Sequence, residues 1–129
     1  MRAALLRAPH TPVQIADVDL EKPRAGEVRV DLVAAGVCRS DLHRLTGHTV
    51  VNKLPFVLGH EGAGLVESVG EGVTSVAPGD HVVFSLTAQC GRCRNCTAGR
   101  PNLCEWHKLG TGLLPDGTHR FNEDGVPVF

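Results

Sequence analysis

Cys90, Cys93, Cys96 and Cys104 set four thiols within fifteen residues, with gaps of two, two and seven residues between them. Two-residue gaps let a tight turn aim successive sulfurs at one centre, and the longer gap brings the chain back for a fourth. Tetrahedral thiolate coordination is what zinc accepts, and a closed shell of four leaves no position for substrate. The expectation is a structural zinc lobe over about residues 88–107, with Arg92, Arg94 and Arg100 near enough in sequence to offset its negative charge. A bacterial iron–sulfur run has a shorter last gap and a proline after the fourth cysteine. Here seven residues intervene and Glu105 follows. Free thiols and a redox Cys-x2-Cys pair are the remaining readings of the spacing.

A second group is sparser. Cys38-Arg39-Ser40-Asp41 and His43 precede Gly59-His60-Glu61. Alone, Cys38 reads as a core thiol at a strand end, and His43 as a solvated side chain on a short helix. Gly59-His60-Glu61 sets an imidazole and a carboxylate where glycine allows close approach, which suits a metal ligand with a charged neighbour. A hydrogen-bonded structural histidine is the other reading of His60. His10, His48, His81, His107 and His119 have no such company and read as surface or structural residues. Gly70-Glu71-Gly72 begins like a dinucleotide fingerprint, but Ser75 stands where the third glycine belongs and no helix follows. It reads as a turn.

The elements that must position these residues are short and mostly extended. Ala3 to Arg7 and Val13 to Asp19 read as strands around a Pro9–Pro12 turn. Val28, Val30 and Leu32 alternate with Arg29 and Asp31, predicting a half-buried strand that runs out at Gly36. Ser40-Asp41 is expected to cap one short helix ending near Gly47. Leu65 to Val69 and His81 to Phe84 are further strands, separated by turns at Gly70–Gly72 and Ala77–Asp80. The tail from Leu109 carries Asp116-Gly117 and Asp124-Gly125 turns and reaches Phe129 in a strand. Several short strands at this spacing suggest a barrel or sandwich.

Length and composition limit what such a chain does. Its 129 residues suit one domain. An apolar fraction of 42% against 21% charged residues argues against disorder. Thirteen basic and fourteen acidic residues argue against a nucleic-acid-binding surface. No apolar run is long enough to span a membrane, and the charged N-terminus is not that of a signal peptide. Five cysteines, an odd number and clustered, fit metal ligation in a reducing compartment, so the expected location is the cytoplasm.

Together these segments resemble the zinc-containing alcohol dehydrogenases of the medium-chain dehydrogenase/reductase family. Gly59-His60-Glu61 with Gly64 and Gly70 matches that family's zinc signature, and Gly36 to Asp41, the cysteine lobe and the Val76–Val82 turn match in the same order. Gly112 to Phe121 is similar to the branch of alcohol and glutathione-dependent formaldehyde dehydrogenases. The resemblance implies a mainly β, GroES-like, partly open barrel with a short helix and a zinc-binding lobe, C-terminally truncated. It covers residues 1–129 as the N-terminal part of a catalytic domain, with the Rossmann cofactor domain absent. Cys38 and His60 would hold a catalytic zinc, Glu61 would approach it, and Asp41 would orient His60. Ser40 would accept the substrate proton and pass it toward His43, and Arg39 would contact the cofactor pyrophosphate.

The implied reaction is oxidation of an alcohol to an aldehyde or ketone, with hydride transfer to NAD or NADP. The implied cofactors are one structural zinc, one catalytic zinc whose site is incomplete here, and the nicotinamide. The implied partners are a small alcohol or aldehyde and, as in longer family members, further copies of the protein. No cysteine follows Cys104 to serve as a third catalytic ligand, so the chain alone is expected to be inactive. A free-standing zinc-stabilised binding module is the alternative. The even charge balance and an otherwise idle Cys38–His60 pair weigh against it.

Overall fold

The computed structural model describes residues 1–106 and 112–129. The strands are β1 (Arg2–Leu6), β2 (Gln14–Asp17), β3 (Asp19–Leu20), β4 (Val28–Gly36), β5 (Phe56–Val57), β6 (Glu61–Val69), β7 (His81–Val83), β8 (Phe121–Glu123) and β9 (Val126–Val128). They form three antiparallel sheets in the orders β2-β1-β5, β3-β8-β9 and β4-β6-β7. Two short helices, α1 (Arg39–Leu45) and α2 (Arg94–Thr97), and a 3-10 turn at Pro101–Leu103 complete the regular structure.

Backbone pairs beyond the ladders join β5 to the chain after β9 and lengthen the β3–β8 pairing. The Val57 N–H donates to the Phe129 carbonyl at 2.6 Å, and the Glu21 N–H to the Arg120 carbonyl at 3.0 Å. The core is small and aliphatic: Leu5, Val18 and Val128 are buried together, with Ala3, Ala16, Val57 and Phe121 packed around them. The expected Val13–Asp19 strand is broken in two at Val18. The Val18 side chain turns into this core while its backbone pairs with Met1, at 2.7 Å in both directions.

The expectation for β4 is corrected. Val30 is half-buried as expected, but Val28 and Leu32 are 38% and 54% exposed, so the apolar face does not continue along the strand. The buried alternation falls instead on β6, at Gly62, Gly64 and Val66. The reason lies in the pairing. β6 is the central strand of its sheet, between β4 and β7, whereas β4 is an edge strand with register shifts at Arg29/Val30 and Leu32/Ala34.

Gly70 ends β6 where the chain from β3 passes. A Cβ at this position would collide with the Arg24 carbonyl, and the Gly70 N–H donates to the Glu27 carbonyl at 2.8 Å. Its glycine serves strand contact, in keeping with the turn expected there. One charged cluster lies under the barrel wall. Arg120, 7% exposed, donates to Glu27 through Nε at 3.0 Å and to Asp116 through Nη2 at 2.7 Å. These bonds hold both carboxyls below their ordinary range, with the hydrogen bond from Arg120 the leading cause in each.

Candidate metal centres

The cysteine lobe builds itself from backbone turns. Cys93 is the N-cap of α2, and the 3-10 turn delivers Cys104. The four sulfurs lie within 4.8 Å of one another. Backbone N–H groups point at them: Cys90 N–H at Cys104 Sγ (3.3 Å), Cys93 N–H at Cys90 Sγ (3.3 Å) and Cys96 N–H at Cys93 Sγ (3.5 Å). Such donors favour the thiolate form. Cys93 is drawn down to about 6, chiefly by the Glu105 N–H and then by that of Cys96. Cys104 is also lowered, chiefly by the Cys90 N–H, whereas burial pushes Cys96 up to about 12.

Two of the arginines expected beside the lobe have partners within it. Arg94 pairs with Glu105 at 2.9 Å, and Arg92 stacks over the Trp106 ring at 4.2 Å. Backbone amides supply the hydrogen bonds to the sulfurs, at no cost in ordering a long side chain. His107 and the C-terminal limit of the lobe lie outside the described residues.

The second cluster is assembled across two strands and a helix. Cys38 follows the end of β4, while His60 and Glu61 stand at the start of β6. Gly36 pairs with Glu61 in the β4–β6 register, which brings the two ends together. One ligand atom each from Cys38, His60 and Glu61 falls within a 4.8 Å group. The helix cap differs from the Ser40–Asp41 expectation. Cys38 is the N-cap of α1, and Asp41 sits three residues into the turn. From there its Oδ2 accepts the Cys38 N–H at 3.0 Å. The short acidic side chain can reach back to a free amide only from that position.

Asp41 also faces the imidazole. It is 6% exposed, and its Oδ1 is buried without a hydrogen-bond partner, 3.6 Å from His60 Nδ1. A buried acceptor aimed at an imidazole nitrogen is how a metal-bound histidine is oriented. With a thiol, an imidazole and a carboxylate converging, the donor set suits zinc with a position left for a further ligand. The residues fit the group.

Ser40 and His43 both lie on α1, three residues apart and partly exposed, and the His43 ring meets His48 edge-on at 5.6 Å between centroids. Arg39 opens the same helix and is exposed. His10, His48, His81 and His119 stay outside both clusters, and His119 lies edge-on to Phe129. An apolar hollow of about 380 Å³ on the β4-β6-β7 sheet, lined by residues that include Val33, Ala63 and Val83, contains none of the candidate ligands. Sequence reasoning missed the bond from the Cys38 amide to Asp41. The acidic residue three positions after the N-cap was the available signal.

An open β domain thus carries two donor sets of a kind suited to a metal, a four-thiol set that would close its shell and a thiol–imidazole–carboxylate set that would leave it open. The model of the alcohol dehydrogenase GroES-like domain matches residues 24–121, and the chain belongs to that family. An S-(hydroxymethyl)glutathione dehydrogenase of Escherichia coli O1:K1 is 48% identical over 99% of this chain. The chain spans 35% of the length of that relative. Among solved structures, an alcohol dehydrogenase zinc-binding domain protein from Burkholderia ambifaria is 39% identical with a TM-score of 0.88, over 98% of this chain and 35% of its own. An alcohol dehydrogenase from E. coli CFT073, complexed with NADH, is 38% identical with a TM-score of 0.72, over 93% and 33% of the two chains.

Proposed function

We propose that this domain supplies the metal-holding part of a zinc-dependent alcohol dehydrogenase, with its structural zinc at Cys90, Cys93, Cys96 and Cys104 and its catalytic zinc at Cys38, His60 and Glu61. The observation that carries the reading is the buried, unpartnered Asp41 Oδ1 facing His60 Nδ1 beside the second cluster. A carboxylate there is costly unless the imidazole answers it. Once it does, Nδ1 carries the proton and Nε2 is left with the lone pair that a metal takes.

A bound zinc supplies Lewis acidity that makes an alcohol easier to deprotonate. The chain's own residues do the rest. The Ser40 hydroxyl accepts the substrate's proton, His43 returns it toward solvent, and Arg39 neutralises cofactor phosphate. The substrate class is a small alcohol or aldehyde, and the hydride acceptor is NAD or NADP. The relatives' names support that class. A cytoplasmic, homo-oligomeric protein is part of the same reading.

Metal content tests it. Purified protein is expected to retain about one zinc per chain through dialysis, since four thiolates close the shell, and to bind a second more weakly. Cys38→Ala should remove the second and spare the first. Two equally tight metals, or a second metal untouched by Cys38→Ala, would overturn the assignment.

A further inference from the structure

We propose that Gly36 is a positioning residue whose lack of a side chain lets the Glu61 carboxylate stand beside Cys38 and His60. The inference rests on reading those three residues as a metal site, and it concerns a residue two positions outside the ligand set. Gly36 and Glu61 are register partners at the open end of the β4–β6 ladder. A Cβ added at Gly36 would fall on Glu61 Oε2, with Glu61 Cβ at 3.1 Å and Cδ at 3.3 Å.

The backbone does not ask for glycine. Gly36 lies outside the left-handed region, so an alanine meets no conformational penalty there. What glycine provides is space, and the Glu61 carboxylate occupies it. Both residues are exposed, so a displaced carboxylate has solvent to move into. The closest obstruction, Oε2, is the far end of a flexible side chain, and the Glu61 Cβ at 3.1 Å asks the strand to give by only a few tenths of an ångström. Gly36→Ala is therefore expected to preserve the fold while swinging the carboxylate away from Cys38 and His60. Losing one of three donors, or its placement, weakens an open metal site and leaves the distant lobe alone.

The test uses the whole chain with its lobe filled by zinc, titrated with Co2+ and followed by the cobalt absorption of a thiolate-containing site. Gly36→Ala should weaken Co2+ binding by about 10-fold, the scale of outer-shell changes at metal sites, with lobe zinc retained. Glu61→Ala should weaken it comparably, and adding Gly36→Ala to Glu61→Ala should cost much less than in the unaltered chain, because only the Cβ contact at 3.1 Å is left. Unchanged Co2+ affinity in Gly36→Ala overturns the proposal and leaves the metal site standing. An equal loss in both backgrounds also overturns it, because the effect would then come from the strand. Absence of a cobalt spectrum in the unaltered chain overturns the metal-site reading itself, and the proposal with it. If Gly36→Ala does not fold, the double variant decides: recovery of the fold places the clash on the Glu61 side chain, and failure to recover overturns the proposal.

Discussion

Asp41 carries two duties on one carboxylate. Oδ2 fixes the Cys38 amide at the start of α1, and Oδ1 faces the imidazole of His60. Removing it should therefore act on both ligands. Asp41→Ala is expected to weaken the second metal by roughly 10–100-fold, the usual cost of losing an outer-shell partner. The lost cap should lower stability by about 1 kcal/mol. Metal titration and thermal unfolding measure the two effects. Asp41→Asn keeps the size and one acceptor, so it should restore most of the cap and less of the metal affinity. Equal metal binding in wild type and both variants would show that Asp41 serves the helix alone. At this scale much was legible. The residue types and spacing of Cys38, His60, Glu61 and the four lobe cysteines point to metal, because few other chemistries need them together. The space at Gly36 was not legible, since it depends on which residue pairs across the ladder.

Among the elements, the lobe and the barrel draw on different interactions. The lobe contains one helical turn and a 3-10 turn, and Cys104 is its one buried apolar residue among those described. Apart from a few polar contacts such as Asn95 Nδ2 to the Leu103 carbonyl at 2.7 Å, its order rests on the cysteine cluster and the amides that face it. Cys93→Ser should open residues 90–104 to protease while the sheets keep their circular dichroism, and a chelator should do the same to the unaltered chain. A lobe that stays resistant without metal would contradict this. The barrel wall instead depends on Arg120. Removing it takes both guanidinium bonds from Glu27 and leaves that carboxylate the Arg24 N–H alone, so Arg120→Ala should cost about 2 kcal/mol. That is less than a fully buried pair would, because Glu27 is 24% exposed.

The same cluster sets an acid limb. Glu27 is held below its ordinary 4.5 when folded, so its contribution is present above that value and lost as pH falls through the lower, folded one. Melting temperature should fall below pH 4.5 in wild type and change less there in Glu27→Gln. Strand positions were mostly readable from turns and alternation. The split at Val18 and the exposure of β4 were not, because core direction and sheet edges are set by partners distant in sequence.

At the scale of the molecule, hydride transfer requires zinc, alcohol and nicotinamide held with reacting atoms roughly 3–3.5 Å apart. Residues 1–129 bring two candidate metal-ligand clusters, the α1 residues Arg39, Ser40 and His43, and an apolar hollow on the β4-β6-β7 sheet. They contain no Gly-x-Gly-x-x-Gly turn to receive a dinucleotide, and the chain spans 35% of the length of its dehydrogenase relative. A cofactor would meet one exposed arginine at the start of a short helix. We expect these residues by themselves to give no alcohol-dependent reduction of NAD or NADP, followed by the absorbance of the reduced nicotinamide. In a protein of the relatives' length that carries this domain, Cys38→Ala and His60→Ala should abolish turnover by removing the metal. Ser40→Ala should lower kcat by roughly 100-fold, as loss of a proton-transfer group does, with the second metal still bound. The combination separates the roles: metal content falls with turnover in the first two variants and is unchanged in the third. Alcohol oxidation by residues 1–129 alone, or wild-type rates in the longer Cys38→Ala protein, would place the chemistry elsewhere.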